Sequence, residues 1–266
     1  MLPGALITNE KKRHNMTRNQ SSATARRRGG LSKLLGAALV SAAFAAPAHA
    51  GVIDFEGGYI GPVGGMEVWQ QSGFDVTFLA NLPGNGEGYL VGAFMNMKDD
   101  PFTCIDMACP VNNQTTFYGA LNDGYLDITR SNYGDQFQVK SFDASFIGGS
   151  PVLSSYPAVA GLLRVQGWRS DGSSIYQDFL LGGPTPGGFT FGHFDTTGAF
   201  ANTSFIEAAF FGFVCNAQGS CSAFSTDRAQ FGIDNIVMAE VPEPSTSLIV
   251  GLGLAGLMAA ARRRKA

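Results

Sequence analysis

The sequence predicts an all-β body folded as a single β-sandwich, and three observations carry that expectation. Between residues 51 and 240 no sustained helical period appears. Short runs rich in Phe, Val, Ile, Tyr and Thr recur instead, and these residues suit a pleated, half-buried surface. Clusters of Gly, Pro, Asn and Asp separate the runs, as turns require. Strands are expected over 52–55, 74–79, 88–95, 125–129, 137–146, 160–168, 174–181, 204–214 and 229–238. Arg169-Ser170-Asp171-Gly172 has the composition of a tight hairpin turn between two of them. In the strand after it, Ile175, Phe179 and Leu181 fall on one face, Tyr176 and Asp178 on the other. Glycine-rich stretches at 57–65 and 182–188 fit the long connections of a Greek-key or jelly-roll-like sandwich. A body of 190 residues is long enough to bury one core, so no internal boundary is drawn.

Charge separates this body from the two ends of the chain. Residues 1–50 hold 8 Lys or Arg and a single acid, Glu10, whereas residues 51–240 hold 6 Lys or Arg and 19 Asp or Glu, a formal charge of −13. So acidic a body repels nucleic acid, which needs clustered cations to neutralise phosphates. It suits divalent cations or neutral glycans.

The first 50 residues read as an export signal. Arg26-Arg27-Arg28 precedes an apolar stretch over 34–46, and Ala48-His49-Ala50 follows. That is the order of a basic region, an apolar region and a small-residue cleavage site for signal peptidase. Cleavage is expected after Ala50, and Met16 offers a second start that shortens the basic region to ordinary length.

Residues 241–266 have three parts. Val241-Pro242-Glu243-Pro244 lacks two backbone donors and cannot continue a helix or a sheet, so it is expected to stay extended. An apolar stretch over about 246–261 has the length of a short transmembrane helix, and Gly251, Gly253 and Gly256 allow close helix approach. Arg262, Arg263, Arg264 and Lys265 then hold the end on the cytoplasmic side. These parts, in this order, resemble the PEP-CTERM sorting domain of Gram-negative bacteria that make exopolysaccharide. The resemblance implies that an exosortase, a membrane cysteine protease, cuts near Pro242-Glu243-Pro244 and passes the body to the cell surface or the extracellular matrix.

Four cysteines in an exported chain point to disulfides rather than a metal site, because neither spacing matches C-x2-C. Of the three pairings that four cysteines allow, the local ones, Cys104 with Cys109 and Cys215 with Cys221, are expected.

The two ends of the body, Val52-Ile53-Asp54-Phe55-Glu56-Gly57 and Gln230-Phe231-Gly232-Ile233-Asp234, resemble jelly-roll carbohydrate-binding modules. The second also resembles a group of PEP-CTERM proteins whose body closes on Gln-Phe-x-x-Asp. The first likeness implies that the outer strands lie together and that Glu56 and Asp234 share a structural Ca²⁺, a hard cation that seeks clustered oxygens. Solvated acids at the sandwich edge are the plainer alternative.

No catalytic constellation emerges, and the chain is not expected to be an enzyme. His193 is the one imidazole of the body, with no G-x-S-x-G elbow, P-loop or H-E-x-x-H motif. Asp54, Glu67, Asp127, Asp143 and Glu207 could in principle pair for glycoside hydrolysis, but nothing in their spacing pairs them. Asp99, Asp100 and Asp106 fit no standard cation loop. Trp69, Trp168, Tyr118, Tyr125 and Tyr133 could stack on sugars, although Trp168, beside Leu162 and Val165, is expected in the core. The function expected is that of an exported structural or adhesive protein in an exopolysaccharide matrix, with a carbohydrate-binding module as the alternative.

Overall fold

The computed structural model describes residues 50–99, 104–226 and 228–241, with Gly253 and Gly256. Residues 1–49 of the export signal, Ala48 included, with Asp100, Pro242 to Pro244, the apolar segment apart from those two glycines, and Arg262 to Lys265, lie outside the described residues. Among the described residues no helix is long and apolar enough to cross a membrane.

The body is a sandwich of two antiparallel sheets. Its strands are β1 (Ala50–Ile53), β2 (Gly61–Gly64), β3 (Val68–Gln71), β4 (Phe74–Ala80), β5 (Leu90–Met95), β6 (Phe117–Ala120) and β7 (Gly124–Arg130). They continue with β8 (Phe137–Phe146), β9 (Val159–Trp168), β10 (Ser174–Gly182), β11 (Gly192–Asp195), β12 (Glu207–Cys215), β13 (Cys221–Ser222) and β14 (Phe231–Glu240). Sheet I has the order β11-β8-β14-β6-β5-β2, with β1 also on β14. Sheet II has the order β10-β9-β12-β7-β4-β3, with β13 on β12. The chain passes repeatedly from one sheet to the other, as jelly-roll connections do.

Alternation along the strands makes the core. In β4, Phe74, Val76 and Phe78 point inward while Asp75 and Thr77 point out. Phe137, Val139 and Phe142 of β8 meet Leu163 and Val165 of β9 and Ala208 and Phe210 of β12 in one buried cluster. The rings are accommodated by glycines on neighbouring strands. A Cβ on Gly167 would stand 2.4 Å from the Phe205 ring, and one on Gly92 would stand 2.2 Å from the Tyr118 hydroxyl. Side-chain atoms cannot approach that closely, so each glycine keeps a place for an aromatic ring.

Several boundaries depart from the sequence expectation. The glycine-rich stretch 57–65 is not all loop, since Gly61–Gly64 forms β2 against β5. The short strands β3, β6, β11 and β13 were not expected, because each is too brief to show alternation. The turn after β9 closes as anticipated, with Gly172 N donating to Arg169 O at 3.0 Å and Gly172 at φ +80°. Its full loop runs to Ser173, whose carbonyl accepts from Arg169 N. Both local disulfides form, Cys104–Cys109 and Cys215–Cys221, and the described residues include no free cysteine.

The outer faces of the two sheets differ. A second small core covers sheet I, where Met95, Phe117 and Ile147 lie under Cys109, with Met97, Cys104, Met107 and Phe191 packed around them. The disulfide-closed segment therefore roofs this face. Sheet II has no comparable roof among the described residues.

Candidate functional site

Pairing register sets what sheet II presents on its outer face. One row across the strands reads Asp75, Thr129, Glu207, Trp168 and Ser174. The next reads Thr77, Asp127, Ala209, Gln166 and Tyr176. Trp168 and Tyr176 are thus diagonal neighbours on β9 and β10, within reach of one another's rings. Trp168 is half-buried on this face, which corrects the expectation of a core residue. The reason is register: Leu163 and Val165 fill the inner positions of β9, so Trp168 must alternate outward. Tyr118 goes the other way. It is fully buried between the sheets, donates to Val91 O, and burial raises its hydroxyl pKa. Trp69 packs inward on Phe94 at 5.3 Å, and Tyr133 stands exposed at a turn.

A planar group supports the exposed ring. Arg164 donates to Asp178 through two nitrogens, at 2.7 and 2.8 Å, in the fork geometry that matches a carboxylate. Its guanidinium lies 3.9 Å from the centre of the Tyr176 ring and 5.0 Å from that of Phe213. Tyr176 is nevertheless 57% exposed and Leu180 61%. Further along the face, Phe224 stacks on Phe211 at 5.5 Å and meets Tyr125 edge-on at 5.8 Å. The face therefore combines flat apolar rings with planar hydrogen-bonding groups, which is the chemistry that recognises pyranose rings.

Two carboxylates lie in the middle of this face. Glu207 pairs with Thr129 and so falls diagonal to Asp127. Asp127 Oδ1 is buried and has no hydrogen-bond partner among the described residues. Burial pushes the Asp127 carboxyl up to about 7, and the neighbouring Glu207 charge adds to the rise. Tyr125 is raised by its burial and then by the same two acids. Two of the acids that sequence spacing left unpaired, Asp127 and Glu207, are therefore brought together by the sheet.

A pH dependence follows. Between pH about 4 and about 7 the folded chain holds the Asp127 proton more tightly than the unfolded chain, so its ionisation lowers stability as pH rises through that window. Asp127→Asn keeps the shape and cannot ionise. It is expected to match the native chain near pH 4 and to exceed it near pH 8, by on the order of 1–2 kcal/mol because water reaches one side of the carboxyl. Thermal melts at both pH values measure the difference, and a less stable variant near pH 8 would contradict this account.

The two end motifs meet in sheet I. β1 pairs with β14, Ile53 facing Ile236, while β6 takes Phe231 to Ile233 on the same edge. The partner changes at Asp234 and Asn235, where β14 bulges and Asn235 adopts φ +51°. Asp234 is 1% exposed and accepts from Asn113 Nδ2 at 2.8 Å, Thr115 Oγ1 at 3.2 Å and Asn235 N at 2.8 Å. Glu56 accepts from Thr116 N at 2.9 Å. Both acids thus fasten one segment, residues 113–116, across the gap between β1 and β6. Burial raises Asp234 to about 6 against the lowering effect of those donors. Among the described residues no group of three or more His, Cys, Asp or Glu has an arrangement that could hold a metal ion. The hydrogen bonds by themselves account for the placement of Glu56 and Asp234. His193 of β11 meets Asp143 at 2.7 Å, Asp143 is the partner of Asp234 across β8 and β14, and Asn235 Nδ2 donates to the other Asp143 oxygen.

At the end of the body, Glu240 is the last residue of β14 and pairs with Arg130 at 2.8 Å. Val241 N donates to Gln136 O at 3.1 Å. Comparison with known proteins places residues 240–265 in the family described as the PEP-CTERM protein-sorting motif. The chain carries a PEP-CTERM motif. That motif implies an exosortase substrate and an exported protein that passes through the membrane. The PEP-CTERM segment starts where the sandwich ends, with no intervening linker: Pro242 follows one residue after β14 and has no N–H with which to extend the ladder.

No curated protein matches the chain. Among solved structures, a DUF4465 family protein from Bacteroides ovatus is 12% identical with a TM-score of 0.42, covering 73% of this chain and all of that one. A family 29 carbohydrate-binding module is 11% identical with a TM-score of 0.33, covering 73% of this chain and 87% of its own. A family 16 carbohydrate-binding module is 10% identical with a TM-score of 0.27, covering 56% and 86%. Similarity at this level assigns neither family nor ligand.

Proposed function

We propose that the chain is exported by its N-terminal signal and released from the membrane by exosortase cleavage near Pro242-Glu243-Pro244. At the Gram-negative cell surface or in the extracellular matrix it then holds neutral glycan strands. On this reading the role is structural or adhesive within an exopolysaccharide, and residues 51–240 are the working domain. Signal peptidase cuts after Ala50, leaving Gly51–Ile53 to pair with β14.

One observation carries the glycan reading. Trp168 and Tyr176 share the unroofed outer face of sheet II with Gln166, Asp127 and Glu207. An aromatic ring covers the apolar face of a pyranose, and amide and carboxylate groups beside it take the equatorial hydroxyls. The long, open face suits a polymer that lies along it.

Affinity electrophoresis tests this reading. The native chain in detergent is expected to be retarded in gels that contain a neutral polysaccharide such as xyloglucan or glucomannan. Trp168→Ala is expected to weaken retardation roughly five- to tenfold, since one stacking contact contributes about 1 kcal/mol. Unretarded migration of the native chain in every gel, or equal retardation of the variant, would remove the sheet face as a glycan site.

The Asp127–Glu207 pair supports a second reading, because a carboxyl raised to about 7 beside another acid is what a glycosidase uses. Release of reducing sugar by the native chain, lost in Asp127→Asn, would favour hydrolysis over binding.

A further inference from the structure

A second recess lies away from the open face. It is a cleft of about 760 Å³ at one end of the sandwich, between the loop that precedes β9 and the hairpin closed by Cys215–Cys221. That volume accommodates two or three sugar rings rather than a long strand. Phe146 and Tyr156 line it. Tyr156 is fixed in place, since its hydroxyl accepts from Ser150 N and donates to Ser150 O, both at 2.8 Å.

The polar wall differs from the rest of the body. Ser154, Ser220 and Thr226 bring hydroxyls that make no side-chain hydrogen bond among the described residues. Arg228 completes the lining. The body has only six Lys and Arg. Four of these are engaged: Arg130 with Glu240, Arg164 with Asp178, Arg169 with Ser173, and Lys140 with Gln138 and Ala201 O. Lys98 and Arg228 have no such partner among the described residues, and of the two only Arg228 borders the cleft. In a domain of formal charge −13, a guanidinium that borders a hydroxyl-lined recess and has no side-chain partner among the described residues suits a carboxylate ligand. Its planar fork of N–H groups donates to both oxygens of the anion, and the hydroxyls meet the ring substituents.

We propose that this cleft binds acidic sugars, specifically the carboxylate of a uronic acid residue held by Arg228. The site is separate from the sheet face and does not depend on it. A chain with both sites could bridge neutral and acidic polymers of one matrix.

Calorimetric titration of the detergent-solubilised full chain with trigalacturonate and with its methyl ester provides the test. The ester keeps the rings and removes the charge. The acid is expected to bind at least about tenfold more tightly than the ester, and Arg228→Gln to lose about tenfold in affinity for the acid, since a bidentate charged pair is removed. Arg228 is exposed, so Arg228→Gln should melt with the native chain. Trp168→Ala should bind the acid as the native chain does, even if it no longer binds neutral polysaccharide. Equal binding of acid and ester, no heat from either, unchanged affinity in Arg228→Gln, or loss of acid binding in Trp168→Ala would each overturn the proposal. The comparison of acid with ester uses the native chain, so it decides even if the variant fails to fold.

Discussion

Phe142→Ala is expected to destabilise the sandwich by about 3–5 kcal/mol, the cost of emptying a large aromatic site in a closed core. Phe142 is fully buried on β8, at the centre of the packing between the sheets. Its ring meets Phe179 edge-on at 4.9 Å and Phe210 edge-on at 5.5 Å, and stacks on Phe194 at 5.7 Å. Phe179 and Phe210 belong to sheet II, on β10 and β12, whereas Phe142 and Phe194 belong to sheet I. The lost ring therefore leaves a cavity lined from both layers, and backbone held in two hydrogen-bonded sheets cannot collapse into it. Domains of this kind are stable by only about 5–15 kcal/mol, so the loss takes a large share. Phe142→Leu, which retains most of the volume, should cost less than half as much. Urea unfolding followed by tryptophan fluorescence measures both, and a loss under about 1 kcal/mol for the alanine variant would mean that the ring is not a joint between the sheets.

The other large effect concerns the fate of the whole chain. In cells that contain exosortase, replacing Pro242, Glu243 and Pro244 with alanine is expected to hold the protein in the membrane at full length, while the native chain appears outside with a shortened C-terminus. The physical reason lies at the junction. β14 ends at Glu240, and Val241 makes the last described backbone contact of the body. The two prolines that follow withhold the donors a sheet or helix would use, which keeps the segment open to a protease. Three alanines restore those donors and favour helix, so the membrane segment can extend back to the edge of the sandwich. Mass spectrometry of the mature C-terminus reads the result. Native protein ending at Ala266 would show that no cut occurs.

The two effects are separable, because the core substitution acts on the sandwich alone and the tail substitution begins after its last strand. A destabilised body that is still cut, and an intact body that is not, would establish that folding and sorting are independent.

Local features were legible from the sequence because they depend on nearby residues. The alternation in Ser174–Gly182, the turn at Arg169 to Gly172 and the two short disulfide loops each involve groups within a few positions of one another. The tail is legible for the same reason, since prolines, an apolar run and a basic end act where they stand. The pairing of the first and last strands was anticipated only through a family likeness, and register then set Ile53 against Ile236.

What tertiary structure alone decided is which side of each strand meets solvent and what lies beside it. β9 carries apolar residues on both faces, Leu162 and Trp168 on one and Leu163 and Val165 on the other, so alternation could not tell core from surface. Packing against β8 chose the Leu163 face, and the segment with Cys104–Cys109 covered sheet I rather than sheet II. Asp127 and Glu207 stand eighty positions apart in the chain and become neighbours only because β7 and β12 pair. A side chain's chemistry is fixed by its type, but its role depends on partners that a strand acquires across the sheet, and those contacts exist only after folding.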